Sequence, residues 1–266
     1  MKALIASGGK GTRLRPITHT RNKHLIPIAN KPILYYAIEA AVDAGIKEIG
    51  IVHNADSLEV PEYVGDGSKW GVKISYIPQE TPGGLAQVVA LAEKFVGKNN
   101  FVFYLGDNMV VGGIRRFLDE FERTNLNCLL TLSKVNDPQR FGVPEFRNGK
   151  IIRVDEKPKK PKSNFAVAGI YVYDRHIFEA VKTLKPSARG ELEISDAHTY
   201  LLKKGYKVGH AEITGWWKDT GKPSDLLEAN RLVLDNLAPR VEGKVDTSSE
   251  VAGRVVIEQG ANVVGS

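Results

Sequence analysis

A glycine-rich run, SGGKGTRLRP from Ser7 to Pro16, follows the first apolar stretch of the chain and is the segment best suited to chemistry. Gly8, Gly9 and Gly11 free the backbone to adopt φ > 0 and to turn successive N–H groups toward phosphate oxygens, forming a cradle for a polyphosphate. Thr12, Arg13 and Lys23 favour that reading over a mere tight turn. Arg13 offers a planar fork for bidentate phosphate contact and Lys23 a movable point charge, the pair that a departing pyrophosphate needs. The run is not a P-loop, because Lys10 is followed by Gly11. It is also a poor dinucleotide fingerprint, since position 14 is Leu14 where a third glycine belongs.

Two aspartates, Asp107 in YLGDN and Asp219 in WWKDTG, each end a strand-like run beside a glycine. Together they suit one Mg2+, an ion that takes one or two carboxylates and completes its shell with substrate phosphates and water. Each aspartate alone could equally cap or turn its own loop. The six histidines show no metal-ligand spacing, and the single cysteine, Cys128, lies in an apolar run and can form no internal disulfide. Trp216 and Trp217 read as core.

The elements that must position these residues alternate. Lys2 to Ala6, Glu48 to Val52, Lys73 to Ile77, Phe101 to Leu105 and Asn127 to Ser133 are short, apolar and rich in β-branched or aromatic residues, and helical segments lie between most of them. The clearest helix is Lys31 to Ala44, with Asn30 as its cap, Pro32 in the first turn and Gly45 as its stop. Such alternation predicts an α/β, Rossmann-like, mostly parallel sheet whose ligands bind beyond the carboxyl ends of the strands, in the loops after Ala6, Ile77 and Leu105. A hairpin is predicted around Arg147, Asn148 and Gly149, then a loop at Glu156 to Lys162 with two prolines and four lysines. A strand (Val167 to Tyr173), helices (Ile177 to Leu184 and Ile194 to Lys204), a strand (Lys207 to Ile213) and a helix after Pro223 follow. From Val245 an aliphatic residue recurs every six positions, at Val251, Ile257 and Val263, with Ser249, Val255 and Ala261 four places after the first three. That period predicts the start of a left-handed hexapeptide β-helix. Because Ser266 falls within a hexad, further coils are expected beyond it. The division expected is 1–240 for the nucleotide-handling domain and 241–266 for the helical stack.

Composition narrows the partners. The 266 residues are 42% hydrophobic and 26% charged, which excludes disorder, collagen and coiled coil. No apolar run reaches the ~18 residues of a membrane span, and MKALIASGG is not a secretory signal, so a soluble cytoplasmic protein is expected, with no membrane partner. The net charge of +6 suits anionic ligands. With no long Lys/Arg block or aromatic-basic stripe, phosphorylated small molecules fit better than nucleic acid.

Taken in order, GGKGTRLRPIT, a lysine ten residues beyond Arg13, LGDN, FGV, EKP, GELEISD and WWKDTG resemble the sugar-1-phosphate nucleotidyltransferase family. The resemblance spans about Met1 to Leu237 and is nearest to the glucose-1-phosphate thymidylyltransferases in their longer form, which carries a C-terminal β-helix. It implies the reaction of a nucleoside triphosphate, dTTP favoured, with a sugar 1-phosphate, glucose 1-phosphate favoured, giving nucleotide-sugar and pyrophosphate with Mg2+, in a homo-oligomer. It further implies that Gly8, Gly9, Gly11 and Thr12 hold the triphosphate, that Arg13 and Lys23 meet the leaving pyrophosphate, and that Asp107 and Asp219 bind the metal. The Gln79 side chain and the Gly84 backbone would meet the base, Gly142, Glu156 and Val167 the sugar hydroxyls, and Lys157 the sugar phosphate. Two positions depart from many short members, His24 in place of Gln and Phe141 in place of Tyr. Rival readings are a UTP-dependent enzyme with an acyltransferase β-helix and a non-catalytic nucleotide-sugar sensor. A nicotinamide oxidoreductase lacks both the third glycine and an acidic residue where Val52 and His53 stand.

Overall fold

The computed structural model describes residues 1–266. The apolar run at the N-terminus becomes the central strand β1 (Lys2–Ser7), from which a seven-stranded sheet extends to both sides. In chain order the others are β2 (Glu48–Asn54), β3 (Lys73–Gln79), β4 (Phe101–Leu105), β5 (Cys128–Lys134), β6 (Phe165–Tyr173) and β7 (Val208–Glu212), arranged 7-5-6-4-1-2-3. Strands β1, β2, β3 and β4 are mutually parallel, β7 is parallel to β5, and β6 alone runs antiparallel, between β4 and β5. The sheet is therefore mostly parallel, and Leu4, Ile5, Phe101 and Phe103 are fully buried because both of its faces are covered.

Helices α1 (Ile33–Asp43), α2 (Glu59–Val64) and α4 (Arg115–Thr124) pack on one face, and α3 (Leu85–Leu91), α5 (Ile177–Thr183) and α6 (Ile194–Lys203) on the other. A smaller core of Leu14, Ile26, Ile28, Ile33, Met109, Leu226 and Ala229 seats helix α7 (Pro223–Asp235) beside the turns that carry Lys23. No helix is long and apolar enough to cross a membrane.

Two details differ from the sequence reading. Helix α1 begins at Ile33, not Lys31, and Asn30 does not cap it. Lys31–Pro32 pair with Pro27–Ile28 in a small ribbon whose turn residues Ala29 and Asn30 are left-handed, at φ 47° and 65°. In the tail, Arg240–Val241 pair in parallel with Val256–Ile257, and Lys244–Val245 with Asn262–Val263, so Val245 meets the aliphatic three hexads on. Ile257 is buried, and Val251 is 40% exposed.

Candidate active site

The carboxyl ends of β4, β1, β2 and β3 lie along one edge of the sheet, as parallel pairing dictates, and the glycine-rich loop leaves β1 there. Of its three glycines only Gly11 is left-handed, at φ 62°. Gly8 and Gly9 serve close approach instead: a Cβ on Gly8 would overlap Gln79 Oε1, and one on Gly9 would lie 3.1 Å from Lys23 Cε. Lys23, on a 3₁₀ turn capped by the Asn22 side chain, runs from this loop to the end of β4, where its ammonium bonds Asp107. Asn108 Nδ2 donates to Asp107 Oδ1 at 2.9 Å, and Asn108 Oδ1 accepts from Trp217 Nε1 at 2.7 Å and from the Gly169 N–H at 3.2 Å.

Asp219 arrives by a second antiparallel ribbon, in which Asn108–Val110 pairs with Trp217–Asp219 and Asn108 stands opposite Asp219. The Thr220 N–H and hydroxyl bind the Asp107 carbonyl at 3.0 and 2.7 Å, tying the two acidic segments together. A Cβ on Gly221 would sit 2.9 Å from an Arg13 guanidinium nitrogen and 3.1 Å from Asp219 Oδ2, so Arg13 and Asp219 lie over the same spot. Burial, then the charge of Asp107, pushes the Asp219 carboxyl up to about 6, against the pull of Lys23 and Arg13. Burial also opposes ionisation of Asp107, but the charge of Lys23 and the hydrogen bonds from Lys23 and Asn108 outweigh it and hold that carboxyl well below the usual range. His24 is buried, and that burial together with Lys23 lowers it to about 3, so it stays neutral.

Arg13, Lys23, Asp107, Asn108, Trp217 and Asp219 line a cleft of about 710 Å³. The same cleft is lined by Gly142, Glu156, Lys157 and Val167. Glu156 accepts from Ser195 Oγ at 2.7 Å and lies 3.4 Å from Arg189 Nη2 and 3.6 Å from Lys157 Nζ. Buried Glu193 grips Arg189 through Nε at 3.1 Å and Nη2 at 2.7 Å. Gly8, Gly9, Gly11, Thr12, Gln79 and Gly84 are not in the lining of this cleft; they border it through Lys23 and Leu85. Gly84, at φ 97°, precedes α3 with its backbone against Leu192, where a Cβ would meet the carbonyl oxygen at 2.5 Å.

Sequence reasoning missed Asn108, Arg189, Glu193 and Ser195. Asn108 and the GELEISD residues were within quoted motifs, and the four-residue spacing of Arg189 and Glu193 is that of a side-chain pair, but nothing in the sequence tied them to Glu156. Trp217, expected in the core, packs against it and also lines the cleft.

Two carboxylates converge, and no group of three or more His, Cys, Asp or Glu side chains is placed to hold a metal. The donor set therefore fits an ion that draws most of its ligands from water and substrate.

Known proteins resemble this chain over most of its length. A family described as nucleotidyl transferase matches residues 2–236. A glucose-1-phosphate thymidylyltransferase of Streptomyces griseus is 48% identical over 264 residues, 99% of this chain and 74% of that protein. A low-salt glycan biosynthesis nucleotidyltransferase of Haloferax volcanii is 44% identical over 98% of this chain and 74% of its own length. A solved Bacillus anthracis structure, described as a glucose-1-phosphate thymidylyltransferase with sucrose, superposes with a TM-score of 0.82 at 43% identity, covering 87% of this chain and 94% of that one.

Proposed function

This chain belongs to the nucleotidyl transferase family, and we propose that it joins dTTP to glucose 1-phosphate, releasing pyrophosphate and yielding the nucleotide-sugar. The names of its relatives support the substrates. The observation that carries the reading is the single cleft whose lining brings together Lys23, Arg13, Asp107, Asp219, Glu156 and Lys157.

The sugar phosphate oxygen is already ionised at neutral pH and attacks the α-phosphorus in line, so no residue has to remove a proton. What the protein must supply is position and positive charge, because a triphosphate and a monophosphate together bring roughly five to six negative charges. In this reading the backbone of Gly8, Gly9, Gly11 and Thr12 holds the triphosphate, and Arg13 and Lys23 receive the charge that grows on the departing pyrophosphate. Gln79 and the Gly84 N–H contact the base, Gly142, Glu156 and Val167 the sugar hydroxyls, and Lys157 the sugar phosphate. Asp107 and Asp219 would hold Mg2+, whose contribution is to neutralise phosphate charge between them. The division at 240 also belongs to the proposal: the two parallel ladders of the tail support a first β-helix coil in 241–266.

Pyrophosphate release measured across a matrix of nucleoside triphosphates and sugar 1-phosphates, with and without Mg2+, tests it. The highest kcat/KM is expected for dTTP with glucose 1-phosphate. Release with no pair of substrates would overturn the activity, and a best pair of other identity would overturn the substrate assignment.

A further inference from the structure

Beside the glycine-rich loop the chain builds an amide relay. Gln79, the last residue of β3, is buried, and its Nε2 donates to Gln87 Oε1 at 2.7 Å. The Gly83 N–H donates to the same oxygen at 2.8 Å. The second bond decides the first. A backbone N–H can only donate, so the Gln87 atom that faces Gly83 is the carbonyl oxygen, not the nitrogen. That oxygen can only accept, so Gln79 must offer it the NH2 group. Gln79 Oε1 is thereby turned onto Gly8 of the phosphate loop, with no donor from the protein upon it. The Gly84 N–H, next along the chain from the relay's anchor, has no backbone acceptor either.

An acceptor with no protein donor, close along the relay to a backbone N–H with no backbone acceptor, matches one kind of pyrimidine edge. Thymine and uracil present a ring N–H beside a carbonyl, whereas cytosine presents a bare ring nitrogen beside an amine, so that acceptor would face acceptor. An amide free to turn over would serve either edge. We propose that Gln87 is a positioning residue that sets nucleobase specificity, by locking the Gln79 amide with its oxygen toward the nucleotide and so selecting thymine and uracil over cytosine. The inference rests on the reading of Gln79 and Gly84 as the base contacts. Gln87 touches no substrate in this arrangement, and its action is confined to the orientation of its neighbour.

The test uses the full chain and reads both kcat/KM with glucose 1-phosphate and calorimetric binding, for UTP against CTP and for dTTP against dCTP. Gln87→Leu should shrink the uracil-to-cytosine ratio about tenfold, the loss of roughly one hydrogen bond's discrimination, and leave KM for glucose 1-phosphate unchanged. Gln87→Glu keeps an oxygen that accepts from both Gly83 and Gln79, and should keep the ratio even if every nucleotide binds more weakly. A residue that merely packed would weaken both nucleotides alike and leave the ratio untouched in both variants. An unchanged ratio in Gln87→Leu, where Gln79→Ala abolishes it, overturns the lock and leaves the base contact standing. An unchanged ratio in Gln79→Ala overturns the base contact itself and the lock with it. Nucleotide binding without turnover would count against the proposed activity alone, since the binding ratios still decide the lock.

Discussion

Replacing Lys23 by methionine deletes the one cation paired with Asp107 while keeping an apolar stem of similar length. The two side chains are 14% and 12% exposed, so water screens the stranded carboxylate poorly. Asn108, at 2.9 Å, would then be its only side-chain donor. Breaking a buried pair from one side costs about 3–5 kcal/mol. At ~2–4 °C per kcal/mol for a chain of this size, Lys23→Met should melt ~6–20 °C below wild type at pH 7. Adding Asp107→Asn removes the orphaned charge and should recover most of that loss, while the double variant should stay inactive because it lacks both the ammonium proposed to meet the pyrophosphate and a carboxylate proposed to hold Mg2+. Calorimetry on the four proteins closes the cycle, and turnover is read on the same samples. A Lys23→Met protein that melts within about 2 °C of wild type would refute the reasoning, since Asp107 would then carry its charge without help.

Lys157→Ala should raise KM for the sugar 1-phosphate by about tenfold or more, one charge-assisted contact, with KM for the nucleotide unchanged; equal effects on both would contradict its assignment to the sugar phosphate. Ser195→Ala removes the 2.7 Å bond to Glu156 and should raise KM for the sugar about threefold to tenfold, an effect that Ser195→Thr should spare. His198 is fully buried and lowered to about 3 by that burial. Its folded value lies below its unfolded one, so stability is complete above about pH 6.5 and is lost as pH falls toward 3, at about 1.4 kcal/mol per pH unit. His198→Asn should therefore flatten urea midpoints measured between pH 6.5 and 4.5, and an unaltered slope would show that the imidazole protonates freely in the fold.

The strands of the central sheet were legible because a buried parallel strand is a short run of apolar residues, and β1, β2 and β4 lie within two residues of their expected ends. The Arg147 to Gly149 hairpin was legible from turn chemistry, and Asn148 and Gly149 take the left-handed values it demands, φ 51° and 73°. The cap at Asn30 was not, because asparagine suits a left-handed turn as well as a helix start, and the ribbon of Pro27–Ile28 with Lys31–Pro32 decided between them. Of the three glycines expected to need positive φ only Gly11 has it, while Gly8 and Gly9 make room for Gln79 and Lys23. What sequence could not supply was convergence. Asp107 and Asp219 meet through a ribbon of three residues a side, and Arg189, Glu193 and Ser195 reach Glu156 only once α6 docks on the sheet.

Paramagnetic resonance of Mn2+ bound to the full chain with an unreactive dTTP analogue weighs the shared metal site most directly. One ion per chain is expected, with Asp107→Asn and Asp219→Asn each weakening it about tenfold or more while the melting temperature shows the fold intact. Either variant binding Mn2+ as tightly as wild type would contradict the account, because the two carboxylates would then serve different places.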